Sequence, residues 1–288
     1  MQNNEYCCLK RKICEQESAN ASLNGQIESL KNQLAAAQAK IKSLTDQNFL
    51  LSSQNQALNL ENSAIRAQNQ DLLDQNAKME EVLTANGLYV TNNQQLENAL
   101  SNPNPSTILL AKDATFNIPA QEVYSPIDII GNGATINVDG VVSSQASLAF
   151  NDSTYLSDLT INSTANDVAP VKFANISDPT IPIANVTLDN VTINGVERDA
   201  EFNNVAYTEI NNSTFGSTAT VPIEIQGKDN DITFPDFYIN DSTVGTGTAW
   251  DTSILVGKNS TAYIHNTSLA DPANVDPDYA DSAQIIYD

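Results

Sequence analysis

The only arginine beyond position 66, Arg198, stands among Glu197, Asp199 and Glu201, just after an Asn194-Gly195 turn. A guanidinium beside carboxylates shifts their proton affinities, so this stretch is the chain's best candidate for acid/base chemistry. A salt bridge on a loop has the same pattern and is the simpler reading. The single histidine, His265, lies in no recognisable catalytic motif of the sequence, and a place on an outer wall explains it better. Asp271, Asn274, Asp276, Asp278 and Asp281 could offer oxygens to calcium, but the spacing and glycine of an EF-hand loop are absent, so this stretch reads as a solvated acidic tail. Trp250 and Asp251 close a Gly/Thr-rich run from Gly245. An aromatic face beside a carboxylate suits a sugar ring, and these two residues are the candidate ligand-binding pair. Paired carboxylates for glycoside hydrolysis lack a specific spacing. No catalytic residue, metal or cofactor is assigned, and no enzymatic activity is expected.

These residues must be positioned by larger elements, and the longest is helical. Asn48, Asn55, Asn62, Asn69 and Asn76 recur every seven residues and alternate with Leu51, Leu58, Ile65, Leu72 and Met79. Three-then-four spacing places both sets on one seam, the a and d positions of a parallel coiled coil. The frame runs back through Leu44, Ile41, Ala37, Leu34, Leu30, Ile27 and Leu23, and forward to Leu83. A helix this long and polar needs a partner along the seam. Residues 16–86 are therefore expected to form a parallel coiled-coil stalk, and at 1.5 Å per residue residues 16–85 would extend roughly 105 Å. Buried asparagines must hydrogen-bond to their own copies, which enforces an in-register alignment at a cost in stability. Asn at a with Leu at d points to two strands, and layered Asn also accommodates three. Asn86-Gly87 reads as the C-cap. Residues 1–15, with Cys7, Cys8, Cys14 and the basic run Lys10-Arg11-Lys12, are set apart as an N-terminal anchor.

Beyond the stalk the pattern changes. Thr91-Asn92-Asn93-Gln94 reads as a capping box opening a short amphipathic helix with Leu96, Ala99 and Leu100. Residues 87–106 form this linker and cap, and Thr107–Ala111 reads as the first strand. Residues 107–288 then repeat one element. Leu156-Ser-Asp158-Leu-Thr-Ile161 returns as Leu188-Asp-Asn190-Val-Thr-Ile193, Ile210-Asn-Asn212-Ser-Thr-Phe215, Ile239-Asn-Asp241-Ser-Thr-Val244 and Ile264-His-Asn266-Thr-Ser-Leu269. A looser forerunner is Ile130-Gly-Asn132-Gly-Ala-Thr135-Ile136. A fixed element at irregular intervals implies one structural turn per repeat with loops of varying length. The expected fold class is an all-β parallel β-helix, with Asp158, Asn190, Asn212, Asp241 and Asn266 stacked as a corner ladder, because Asx tolerates the left-handed conformation of a tight corner.

The formal charge is −22, and the carboxylates lie mostly after residue 88, where twenty-five Asp and Glu face five Lys and Arg. Such a surface repels phosphate backbones and anionic lipid, so neither nucleic acid nor membrane is an expected partner. The five cations (Lys112, Lys172, Arg198, Lys228 and Lys258) are too dispersed in sequence to declare a basic patch. The cysteines sit outside the β region, which is therefore no disulfide scaffold. No leader peptide is evident in the polar first twenty residues, and synthesis in a cytoplasm is the expectation.

Leu96-Glu-Asn-Ala99-Leu100, Ile108-Leu-Leu110 and Ile130-Gly-Asn-Gly133 resemble the opening of the single-stranded, right-handed β-helix (pectate-lyase-like) superfamily. The resemblance covers about 200 residues and specifies architecture better than activity. The superfamily's lyases place Arg or Lys beside a calcium-holding carboxylate cluster, for which Arg198 is the nearest match. The paired aspartates, Gly-His-Gly and Arg-x-Lys elements of its hydrolases are missing here. In organisation the chain is similar to bacteriophage tailspikes, tail fibres and capsid head fibres. That resemblance implies a homotrimer, with a homodimer as the alternative, attached to a capsid or tail protein through its N-terminus. It further implies display on the virion surface and a head that binds a host-surface or environmental glycan. A tailspike-type polysaccharide depolymerase and a cellular adhesin or scaffold are the rival functions.

Overall fold

The computed structural model describes residues 2–85, 88–104, 106–143, 145–166, 168–216, 220–227, 236–247 and 251–287, with the side chains of 2–5 and 84–85 excepted. The C-cap expected at Asn86-Gly87 lies outside the described residues, as does Trp250. The chain divides into two units, Met1–Ala77 and Lys78–Asp288.

A single α-helix spans Gln2–Ala85. It crosses the boundary drawn at residue 15 without a break, and the heptad frame continues N-terminally through Ile13, Leu9 and Tyr6. The seam residues Leu23, Ile27, Leu30, Leu34, Ile41, Leu44, Leu51, Leu58, Ile65, Leu72 and Met79 are all exposed in the single chain. In this frame Cys7 and Cys14 occupy b positions and Cys8 a c position, on the outward side. All three are exposed free thiols. No described helix is long and apolar enough to cross a membrane.

The second unit is a parallel β-solenoid of about seven turns. Two sheets face each other across one core: a 13-stranded sheet and a 7-stranded sheet, with every described strand pairing parallel to its neighbour in the next turn. The N-terminal end is closed by the helix Asn93–Leu100, whose Leu96 and Leu100 are buried in the core. Its N-cap is Asn92, one residue beyond the Thr91 expected. The Asn92 side chain accepts from the Gln95 amide at 3.0 Å, and Gln95 Oε1 accepts from the Thr91 amide at 2.8 Å. The first bond satisfies an orphan donor of the first turn, and the second ties the residue before the cap back to the helix.

The repeats of the sequence superpose in register. The first apolar residue of each clear repeat stacks as Leu156, Leu188, Ile210, Ile239 and Ile264, while in the forerunner this row is filled by Ile129, one residue before the Ile130 expected. The last stacks as Ile136, Ile161, Ile193, Phe215, Val244 and Leu269. From the opposite sheet, Phe150, Phe173 and Phe202 stack at centroid separations of 5.4 and 4.9 Å, and Phe202 meets Phe237 edge-on at 5.2 Å, tying the two sheets together. Each aromatic contact of this kind adds about 1 kcal/mol beyond its buried area.

The corner between the two stacked rows is turned by the Asx residue. Asp158, Asn190, Asn212, Asp241 and Asn266 all have φ between 43 and 55°. Asn190 Nδ2 donates to Asp158 Oδ1 at 2.7 Å, and Asn266 donates to Asp241. The residue after the Asx is apolar in the early turns (Leu159, Val191) and hydroxylated in the later ones. Ser213 Oγ donates to the Asn211 carbonyl at 2.8 Å and accepts from the Val191 amide at 3.1 Å; Ser242 repeats the arrangement one turn on. These buried hydroxyls satisfy backbone groups that a break in the strand would otherwise orphan. The forerunner at Ile130–Ala134 is a bulged corner, with Asn132 and Gly133 both at positive φ. A second ladder on the wall was not anticipated: Asn137 donates to Asn117 at 2.9 Å, Asn162 to Asn137 at 3.0 Å and Asn194 to Asn162 at 2.9 Å.

Candidate functional site

In a parallel sheet, alternate residues point outward, and equivalent positions in successive turns lie about 4.8 Å apart. The residue just before the first apolar position of the repeat therefore forms an outward row: Tyr155, Thr187, Glu209, Tyr238 and Tyr263. Tyr238 and Tyr263 stack with centroids 4.6 Å apart and rings inclined by only 7°. Tyr207, in the adjacent column of Val205–Asn211, leans across to Tyr238 at 5.5 Å. Three tyrosines on three consecutive turns thus form a continuous aromatic strip, with Tyr207 38% exposed.

Polar groups border the strip on both sides. Glu209 Oε1 accepts from Asn211 Nδ2 at 3.0 Å, and Tyr207 Oη lies 3.4 Å from Glu209 Oε2. Asp236 pairs in register with Tyr207, and Asn240 donates to Asn211 at 2.9 Å. Partial burial, followed by the negative field of Glu209, raises the Tyr207 phenol above its ordinary value; partial burial and then Asp236 do the same for Tyr238. Both therefore remain protonated donors near neutral pH. A strip with Tyr207 exposed and Tyr238 and Tyr263 half-buried, flanked by amides and carboxylates, offers a stacking surface for an apolar ring face and hydrogen bonds for the substituents at its edge.

The charged stretch of the sequence lies on the 7-stranded sheet and assembles differently. Lys172, Glu201 and Glu224 fall in one register row. Lys172 Nζ contacts Glu201 Oε1 at 2.9 Å, while Arg198 bridges Glu201 at 3.3 Å and Glu224 at 2.7 Å. Asn203 donates to Glu201 Oε1 at 2.6 Å, and Gln226 donates to Glu224. Glu224 is raised above its usual carboxylate range by burial, against the opposing pull of Arg198. Two of the cations dispersed in sequence are thus brought together and neutralised by two carboxylates. Beside them is an open pocket of about 380 Å³ lined in part by Lys172, Asn175, Asn203 and Gln226.

Asp199 does not join that network. It is fully buried, its Oδ1 accepts the Gly195 amide at 2.6 Å, and burial pushes its carboxyl up to about 8. The Glu197 carbonyl accepts the Thr220 amide at 2.9 Å. Of the four residues read as an acid/base constellation, Arg198 and Glu201 meet as a salt bridge, the simpler of the two sequence readings.

Residues 87–201 match the model of a family described as "Putative pectate lyase-like adhesive domain". No curated protein matches the chain. The matched stretch holds the capping helix and the first turns of the solenoid, so this part of the chain is similar to an adhesive domain. The tyrosine strip lies on the turns that follow.

Asp251, the described member of the expected ligand-binding pair, is exposed on a turn at φ 45°. His265 is exposed on the wall one position before Asn266, as the repeat implied. Asn274 sits in the strand Ala273–Val275 and Asp276 caps a 3₁₀ turn at Pro277–Tyr279, so the acidic terminal stretch is dispersed over distinct elements. Sequence reasoning missed the tyrosines, although Tyr155, Tyr238 and Tyr263 share one position of the repeat. That shared position is the signal that could have found them.

Proposed function

We propose that this protein is a non-catalytic binding fibre. In this reading the helix forms a parallel, in-register coiled coil, with three chains favoured over two, and displays solenoid heads that adhere to a glycan. The tyrosine strip of Tyr207, Tyr238 and Tyr263 is the observation that carries the binding reading, and the similarity of residues 87–201 to an adhesive domain supports it. The uncovered seam of the helix supports the oligomer, because an isolated helix of this composition would not persist in water. The arrangement fits a bacteriophage head or tail fibre, attached to capsid or tail through the N-terminal end of the helix.

The test is binding of the full chain to an array of surface polysaccharides, with Tyr238→Ala as the comparison. Retention that falls at least tenfold in the variant, at unchanged thermal stability, supports adhesion through the strip. Release of reducing ends or unsaturated sugars from any bound polysaccharide, abolished by Arg198→Ala, would replace this reading with that of a depolymerase.

A cellular surface adhesin is the second reading, favoured by the description of the matched family. Antibody labelling separates the two: virion fibres decorate purified particles, whereas an adhesin decorates the envelope of uninfected producing cells.

A further inference from the structure

We infer that the tyrosine strip selects a glycan carrying free amino groups, bound with its length parallel to the solenoid axis. The inference rests on the adhesive reading above and adds the chemical class of the ligand. Three features of the face lead to it.

The first is the geometry of the strip. Tyr207, Tyr238 and Tyr263 occupy successive turns, so the strip spans two inter-strand steps, about 9.6 Å. That is the length of a disaccharide lying along the axis. A chain running along the strands would meet one ring only.

The second is charge. Glu209 stands in the same outward row as Tyr238 and Tyr263, and Asp236 stands in register with Tyr207. None of the strands Val205–Asn211, Asp236–Asn240, Thr261–His265 and Gln284–Tyr287 contains Lys or Arg, and His265 is the one weakly basic side chain on them. A uronate or sulfated chain laid here would meet carboxylates without a compensating Lys or Arg on these strands. A protonated amine meets carboxylates at the strip's border and the electron-rich faces of the phenol rings, and both interactions favour it.

The third is the array of amide groups. Asn211 and Asn240 are joined by a hydrogen bond and flank the strip one column away, in reach of ring hydroxyls. Their partners across the turns hold them in place, so little ordering entropy is lost on binding.

The experiment is calorimetric titration of the full chain with three probes: a glucosamine hexamer, its fully N-acetylated counterpart and a galacturonate hexamer. The expected result is tightest binding of the free-amine hexamer, by at least tenfold over the acetylated one, with no detectable binding of the galacturonate. Glu209→Gln and Tyr238→Ala should each weaken the free-amine hexamer at least fivefold. Asp278→Asn with Asp281→Asn, a control for attraction to any acidic surface, should leave it unchanged. Raising salt from low to high should weaken it further, as exposed charge pairs are screened.

If the acetylated hexamer binds as well or better and Tyr238→Ala removes it, the strip is a glycan site but the amine inference falls. If no saccharide responds to Tyr238→Ala, the inference and the adhesive reading fall together. Loss of the oligomer's mass in Tyr238→Ala would reassign the face to contact between heads and also overturn the proposal.

Discussion

At the scale of single residues, the solenoid depends on side chains that tolerate unusual backbone. The corner Asx residues sit in the left-handed region, which costs other L-residues roughly 1–2 kcal/mol. Asn190 also donates to Asp158 across the turn, and such a bond contributes about 1 kcal/mol. Asn190→Ala should therefore destabilise the protein by about 2 kcal/mol, and Asn190→Gly by about half as much, read by denaturant unfolding. Asp199 contributes a pH dependence. Its folded-state value of about 8 lies above the ordinary carboxylate value, so the folded protein binds the extra proton between those limits. Stability from this group is present at acid pH and is lost as pH rises through about 8. Wild type should lose more melting temperature between pH 5 and pH 8 than Asp199→Asn, by on the order of 5 °C. An identical pH profile in the two proteins would remove Asp199 as the source.

At the scale of elements, the helix and the solenoid solve opposite problems. The helix carries asparagine at five successive a positions, so in the proposed coiled coil cohesion would rest on the d residues and on the Ile- and Leu-rich first half. Replacing Asn55, Asn62 and Asn69 together by Leu should raise the melting temperature of the oligomer by several degrees and broaden its mass distribution. The added apolar layers gain burial energy and lose the register-specific hydrogen bonds. Light scattering on both proteins reads the outcome. In the heptad frame the cysteines lie at b and c, away from the seam. Mild oxidation should therefore leave the chains of one coiled coil unlinked on non-reducing gels. The solenoid, by contrast, relies on interlocked rings, and Phe202, packed against both Phe173 and Phe237, is its hinge between sheets. Phe202→Ala should cost about 3–5 kcal/mol.

At the scale of the whole molecule, the proposed reading assigns association to the helix and binding to the solenoid. Residues 88–288 contain the capped core and the tyrosine strip, and the exposed apolar seam belongs to the helix. The full chain should therefore have the mass of an oligomer, a trimer on the proposed reading, whereas a chain beginning at residue 88 should be monomeric, with the glycan affinity per site unchanged. A monomeric full chain would overturn the coiled-coil reading and the fibre with it. A threefold display of weak sites would convert modest affinity into strong adhesion, since the later contacts form at high effective concentration.

The sequence alone determined the long helix, its heptad pattern, the solenoid and the Asx residues that turn its corners. Each is a local or periodic property: a seven-residue repeat sets a helix face, and an Asx in a recurring six-residue element sets a corner. The N-cap shift from Thr91 to Asn92 shows the limit of that legibility, because a box of four polar residues offers two frames that local chemistry hardly separates. What tertiary structure decided was which distant residues share a row. Lys172, Arg198, Glu201 and Glu224 are dispersed in sequence and become a neutral network only when the turns align. Tyr207, Tyr238 and Tyr263 become one strip for the same reason. In a solenoid the loop lengths vary while the registers do not, so contacts between turns follow stacking geometry and not separation along the chain.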